Sequence, residues 1–145
     1  MTKNKLILPN HDFFEEVIKL LNQKKQVSLM VKGTSMKPFL DEETEVFLRQ
    51  FDSYHKGDIC LFKFNNKYLL HRIKRVVGKD YIFRGDNSVK SETVEVEAIY
   101  GRVTYYVKKT KKHQPWNFYV SLKLFFYRLY LKLRAFGKKV LRKKG

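Results

Sequence analysis

The chain of 145 residues has one cysteine, Cys60, which excludes an internal disulfide. Its four histidines lie apart at 11, 55, 71 and 113, so no zinc-ligand spacing exists either. Long apolar runs are missing too. No stretch reaches the ~18 consecutive apolar residues of a spanning helix. Near the start, Leu6-Ile7-Leu8 stops at Pro9, short of the ~7–15 apolar residues of an export signal. The default placement is therefore cytoplasmic. The most informative shortage is of acidic residues. Residues 1–100 carry 17 Lys and Arg against 14 Asp and Glu, whereas residues 101–145 carry 14 Lys and Arg and no acid. The strong positive charge thus belongs to the last third of the chain and favours an anionic partner there.

The length suits one domain with a modest core. Residues 11–23 read as a short amphipathic helix, with Asn10 or Asp12 as cap and Phe13, Phe14, Val17, Ile18, Leu20 and Leu21 as its apolar stripe. From Gln26 the pattern changes to strands. Val27, Leu29 and Val31 alternate with Ser28, Met30 and Lys32. Further strands are expected over 44–51, 58–64, 67–77 and 81–84, with one long or two short strands over 93–107. Asn65-Asn66 and Gly78-Lys79-Asp80 read as hairpin turns, and Gly101 as a bulge or bend. Cys60 falls within a strand and reads as a small core residue. The organisation expected is an N-terminal helical segment (1–25), a mainly antiparallel β domain (26–107), and a basic linker with an amphipathic helix (108–145).

That last helix rests on the spacing of Leu122, Phe126, Leu129, Leu133, Phe136 and Val140, which recur every three or four residues. Pro115 can start it. Lys and Arg fall mostly on the other side, although Leu124 and Leu131 interrupt that face. A cationic helix with an aromatic-rich stripe suits a membrane surface. Trp116, Phe126, Lys132, Lys138 and Lys139 are the residues expected to bind it. Packing of the stripe on the β domain is the plainer alternative. Nucleic acid is the less favoured anionic partner, since helical periodicity favours lipid over base stacking.

The segment that carries chemistry is Gly33-Thr34-Ser35-Met36-Lys37-Pro38, with His71-Arg72 and Gly85-Asp86-Asn87 downstream. A serine hydroxyl needs a base to take its proton, a histidine can serve, and an acid can fix the histidine tautomer. Lys56-Gly57-Asp58-Ile59 and Ile99-Tyr100-Gly101-Arg102-Val103 complete a set of five blocks whose order resembles the signal-peptidase and LexA-repressor-type serine peptidases, from about Val27 to about Val107.

The resemblance implies a coiled antiparallel β half-barrel without a cofactor or metal. It implies Ser35 as nucleophile, with its backbone N–H in the oxyanion hole. In some bacterial members a second hydroxyl stands two residues before the nucleophile. Gly33 occupies that place here, so a further donor must come from Thr34 or the backbone. It implies His71 as base, as in the endoplasmic-reticulum and archaeal members, where other members use lysine. Strand alternation agrees in one respect: Lys74 should point away from His71. Asp86 would be the orienting acid, although a Gly-Asp-Asn turn suits an aspartate of no catalytic role. Arg72 should pair with a carboxylate. Met36 and Phe39 would line a substrate groove or simply pack.

The expected activity is a serine endopeptidase acting on a peptide or leader-like segment, peripheral to a membrane. The usual membrane-spanning anchor of signal peptidases and the DNA-binding half of a LexA-like repressor are both missing from the pattern. A binding module that keeps the fold, and a self-cleaving regulator, are the rival readings.

Overall fold

A computed structural model describes residues 10–116 and 118–143, with the side chains among them except those of 10, 118, 119 and 139–143. The apolar run Leu6–Leu8 and the side chains of Lys139 and of the proposed cap Asn10 lie outside the described residues. The elements in chain order are α1 (Asn10–Asn22), β1 (Val27–Met30), β2 (Glu45–Arg49), β3 (Ile59–Phe64), β4 (Lys67–Val77), β5 (Asp80–Arg84), β6 (Ser91–Val94), β7 (Ile99–Lys108), β8 (Lys111–His113) and α2 (Phe118–Lys143). A single 3-10 turn, Val96–Ala98, precedes β7.

All eight strands pair antiparallel in one open sheet, in the order β1-β2-β7-β3-β4-β5-β6, with β8 added to β7. The long β7 makes this possible. Its first residues pair with β3, from Phe62↔Ile99 to Cys60↔Arg102, and its last residues pair with β8 on from Tyr106↔His113. Two bulges bend it. Tyr100 is the extra residue opposite Leu61/Phe62, beside Gly101 as the sequence indicates. Thr104 is extra opposite Phe47/Leu48, and its hydroxyl donates to the Phe47 carbonyl at 3.2 Å. A bulged residue leaves the ladder, so this side-chain bond occupies a carbonyl the bulge disturbs.

Gly101 also admits α1. A Cβ there would stand 3.2 Å from both methyls of Leu21, a fully buried residue, so the glycine lets the helix lie against β7. One hydrophobic cluster gathers Tyr54, Cys60, Phe62, Ile73, Phe83 and Ile99. Within it the rings of Phe62 and Phe83 stack with centroids 3.9 Å apart.

The chain divides into two compact units, 1–115 and 116–145. Residues 108–112, expected as a linker, instead form the tip of the β7–β8 hairpin. Lys109 and Thr110 turn it with φ of 49° and 65°. Hairpin turns with both central residues at positive φ favour Asn and Gly, and a β-branched residue is rare there, so Lys-Thr gave no turn signal. The expected turn at Asn65-Asn66 does form that way, with φ of 48° and 62°. The second unit contains α2, a helix of 26 residues. Among the described residues no helix is long and apolar enough to cross a membrane.

Candidate active site

Ser35 lies in the connection from β1 to β2. Gly33 takes φ of 80°, a backbone conformation that glycine adopts without steric cost. The chain then winds through tight turns closed by Lys37 N–H to Thr34 O at 3.2 Å and Leu40 N–H to Met36 O at 3.0 Å. Met36 and Leu40 are buried, and they pin the loop so that Ser35, between exposed Thr34 and buried Met36, is half-buried.

His71 stands on β4 opposite Cys60 of β3. Its Nε2 lies 3.0 Å from the Ser35 Oγ. Its Nδ1 lies 3.1 Å from Oε2 of Glu92. Glu92 comes from β6, two strands away, where it pairs in register with Phe83 of β5. Both side chains are mostly buried, 8% exposed for His71 and 11% for Glu92, so water competes little for this pair. The Phe62 ring meets the imidazole edge-on at 6.1 Å and walls off its apolar side. A carboxylate only accepts hydrogen bonds. Glu92 therefore holds the proton on Nδ1 and leaves Nε2 to accept from the serine hydroxyl.

The structure gives Asp86 a different partner from the one the resemblance implies. Asp86 is fully buried, and its two oxygens accept from Nε and Nη2 of Arg72, each at 2.9 Å. Arg72 follows His71 on β4 and so points to the other face of the strand. Its Nη1 also donates to the carbonyls of Gly57 at 3.0 Å and Pro115 at 2.8 Å. The expectation that Arg72 pairs with a carboxylate is met, and the orienting position beside His71 belongs to Glu92. Asp86 anchors the turn 85–88 from beneath.

That turn grips the Ser35 loop. The Asn87 N–H donates to the Ser35 carbonyl at 2.8 Å, and its Nδ2 donates to the Thr34 carbonyl at 3.1 Å. The Asp86 N–H approaches the Met36 sulfur at 3.4 Å. Gly85 is where the two pieces come closest. A Cβ there would stand 2.6 Å from the Ser35 carbonyl oxygen and 3.2 Å from His71 Nε2, so only glycine fits.

Met36 and Phe39, expected to line a groove, are 2% and 6% exposed. Met36 is engaged with the Asp86 amide, and Phe39 lies below the Arg72 guanidinium at 5.6 Å. Buried and occupied in this way, they support the loop and offer almost no surface to a substrate. Lys74 is the extra residue of a bulge between Ile73↔Phe83 and Arg75↔Ile82, so strand alternation breaks beyond Ile73. Asp58 is structural as its position suggests. Its Oδ2 accepts from the His55 N–H at 2.8 Å.

Sequence reasoning missed Glu92. The signal available was parity: in Ser91–Val94 a glutamate shares a face with Val94, which packs on the core. A carboxylate on the core face of a strand requires a partner there. On α1, the ligand atoms of His11, Asp12 and Glu15 lie within 4.8 Å of one another, but all three residues are exposed and far in sequence from the Ser35 loop.

No curated protein matches the chain. Residues 4–104 match the family model described as Peptidase S24-like. With the match running over more than two thirds of its length, the chain belongs to the Peptidase S24-like family, the group that contains the LexA and signal-peptidase type of serine peptidase.

Proposed function

We propose that the protein is a serine endopeptidase that uses Ser35, His71 and Glu92. The observation that carries this reading is the continuous chain of contacts from Ser35 Oγ to His71 Nε2 at 3.0 Å and from His71 Nδ1 to Glu92 Oε2 at 3.1 Å. Family membership makes the serine-peptidase class the expected chemistry.

Ser35 Oγ attacks the carbonyl of the scissile peptide while Nε2 of His71 takes its proton. The imidazolium that forms is stabilised by the adjacent Glu92 carboxylate. His71 then returns the proton to the leaving amine, and a water activated by the same imidazole hydrolyses the acyl-enzyme. The N–H of Ser35 has no partner among the described residues and can donate to the oxyanion, a contact of about 3 kcal/mol in the transition state. The substrate is a peptide or leader-like segment.

Purified full-length protein is incubated with a fluorophosphonate and read by intact mass. Wild type should gain one adduct, mapped to Ser35, and Ser35→Ala and His71→Ala should gain none. An adduct that persists in Ser35→Ala refutes the assignment of the nucleophile. Unchanged cleavage of a co-expressed substrate by His71→Ala refutes the assignment of the base.

A further inference from the structure

Helix α2 leaves uncovered a surface that the peptidase reading does not use. Leu122, Phe125, Phe126, Leu129, Leu133 and Phe136 are between 44% and 67% exposed. At about 100° per residue these six fall within an arc of about 100° on the helix. Exposed apolar side chains scattered singly are ordinary, whereas a continuous stripe of this kind marks an interaction surface. From Leu122 to Phe136 the stripe runs about 21 Å along a helix of 26 residues.

The charges beside the stripe identify what covers it. Residues 116–145 contain nine Lys and Arg and no Asp or Glu. On the same wheel, Lys132 borders one edge of the arc. Tyr130 and then Arg134 border the other, and Lys138 lies about 170° from its centre. We infer that α2 lies flat in the interface of an anionic lipid bilayer. The aromatic and leucine side chains enter the acyl boundary, while the flanking cations reach the headgroups. Tyr130, with an apolar ring and a polar hydroxyl at the border, fits the boundary between the two.

Two other occupants fit less well. A second copy would bring a further set of cations with no acid to neutralise them, and like charges along a helix pair repel. A nucleic acid would meet the cations, but three of the six exposed side chains are leucines, which have no ring face for a base to stack on. The lipid surface satisfies both the stripe and its flanks, and it does so whether or not Ser35 performs catalysis.

The test is flotation of the full chain with vesicles of phosphatidylcholine alone or with phosphatidylglycerol added, at low and high salt. Binding should be at least about tenfold stronger to the anionic vesicles and should weaken with salt. Phe126→Ser combined with Phe136→Ser should lose at least about tenfold, since both side chains are exposed and the ring that Phe126 meets, Phe125, belongs to the same stripe. Lys132→Glu should weaken binding more than Lys138→Glu, because only the first borders the stripe. Ser35→Ala should bind as wild type, which separates this surface from the active site. No vesicle binding, equal binding by the double variant, or tighter binding of DNA than of vesicles at matched salt overturns the inference. Sedimentation of a vesicle-free dimer that the double variant abolishes would also overturn it, in favour of a second copy.

Discussion

Replacing Asp86 and replacing Glu92 should have opposite kinds of consequence. Asp86→Asn takes the negative charge from a pair in which Arg72 is 3% exposed and Asp86 is fully buried. The guanidinium would remain buried beside the carbonyl oxygens of Gly57 and Pro115, which do not neutralise its charge. Breaking one side of a buried ion pair typically costs about 3–5 kcal/mol. That is a large share of the roughly 5–15 kcal/mol that holds a domain folded. Glu92→Gln leaves a smaller defect. The amide can still accept from Nδ1–H through its oxygen, so stability should fall by about 1 kcal/mol. Its effect should be on chemistry instead. An amide can also donate to Nδ1 and favour the wrong tautomer, and it cannot stabilise the imidazolium, a change worth about 10⁴ in rate in the comparable Asp-to-Asn replacement.

Urea unfolding followed by far-ultraviolet circular dichroism separates the two. With a slope of about 2 kcal/mol per molar urea, Asp86→Asn should lower the midpoint by about 2 M, and Glu92→Gln by less than about 0.5 M. Acylation of Ser35 should collapse in folded Glu92→Gln. The reasoning fails if Asp86→Asn unfolds with wild-type stability but is inactive while Glu92→Gln keeps its activity. Asp86 would then be the orienting acid, as the sequence motif alone implies. Replacing Arg72 and Asp86 together by Met and Leu should recover much of the stability lost in the single variant, since an apolar pair carries no desolvated charge.

Gly85→Ala should abolish labelling of Ser35 and cost about 1–3 kcal/mol in urea unfolding, because the new methyl would overlap the Ser35 carbonyl. Wild-type labelling in that variant would show that the loop can yield. Asn87→Ala removes the side-chain bond to Thr34 and keeps the backbone bond to Ser35, so labelling should slow about tenfold with stability reduced by about 1 kcal/mol, read from labelling rates and urea midpoints. Cys60 is fully buried, and burial pushes its thiol well above the usual range, so native protein should not react with a thiol reagent until urea unfolds it. The same shift has a pH consequence. The unfolded chain ionises its thiol first, so stability should fall as pH rises above about 8.5, and Cys60→Ala should lessen that fall between pH 8 and 9.5. An identical slope in both proteins would assign the loss to other groups.

The half-buried sheet was legible in the sequence because its strands alternate with period two and its turns carry Gly and Asn. The strands around Val27, Ile59 and Lys67 and the turn at Asn65-Asn66 follow from that alone. Ser35 and His71 were singled out through the resemblance of their Gly-x-Ser-Met-x-Pro and His-Arg blocks, and the structure sets their side chains 3.0 Å apart. The β7–β8 hairpin was not, since Lys109-Thr110 turns without glycine or asparagine and its pairing is long-range. Which carboxylate stands beside His71 was decided only by tertiary structure. Asp86 and Glu92 are both carboxylates within 21 residues of His71, and the local sequence makes the aspartate in a Gly-Asp-Asn turn the more conspicuous. Which of them reaches the imidazole depends on the side of β4 that each approaches. The turn 85–88 meets Arg72, whereas the register of β6 on β5, with Glu92 opposite Phe83, carries the glutamate over to His71. Sequence determines which groups could do the chemistry, and strand register chooses between two of the same kind, because a shift by one residue turns a side chain to the opposite face.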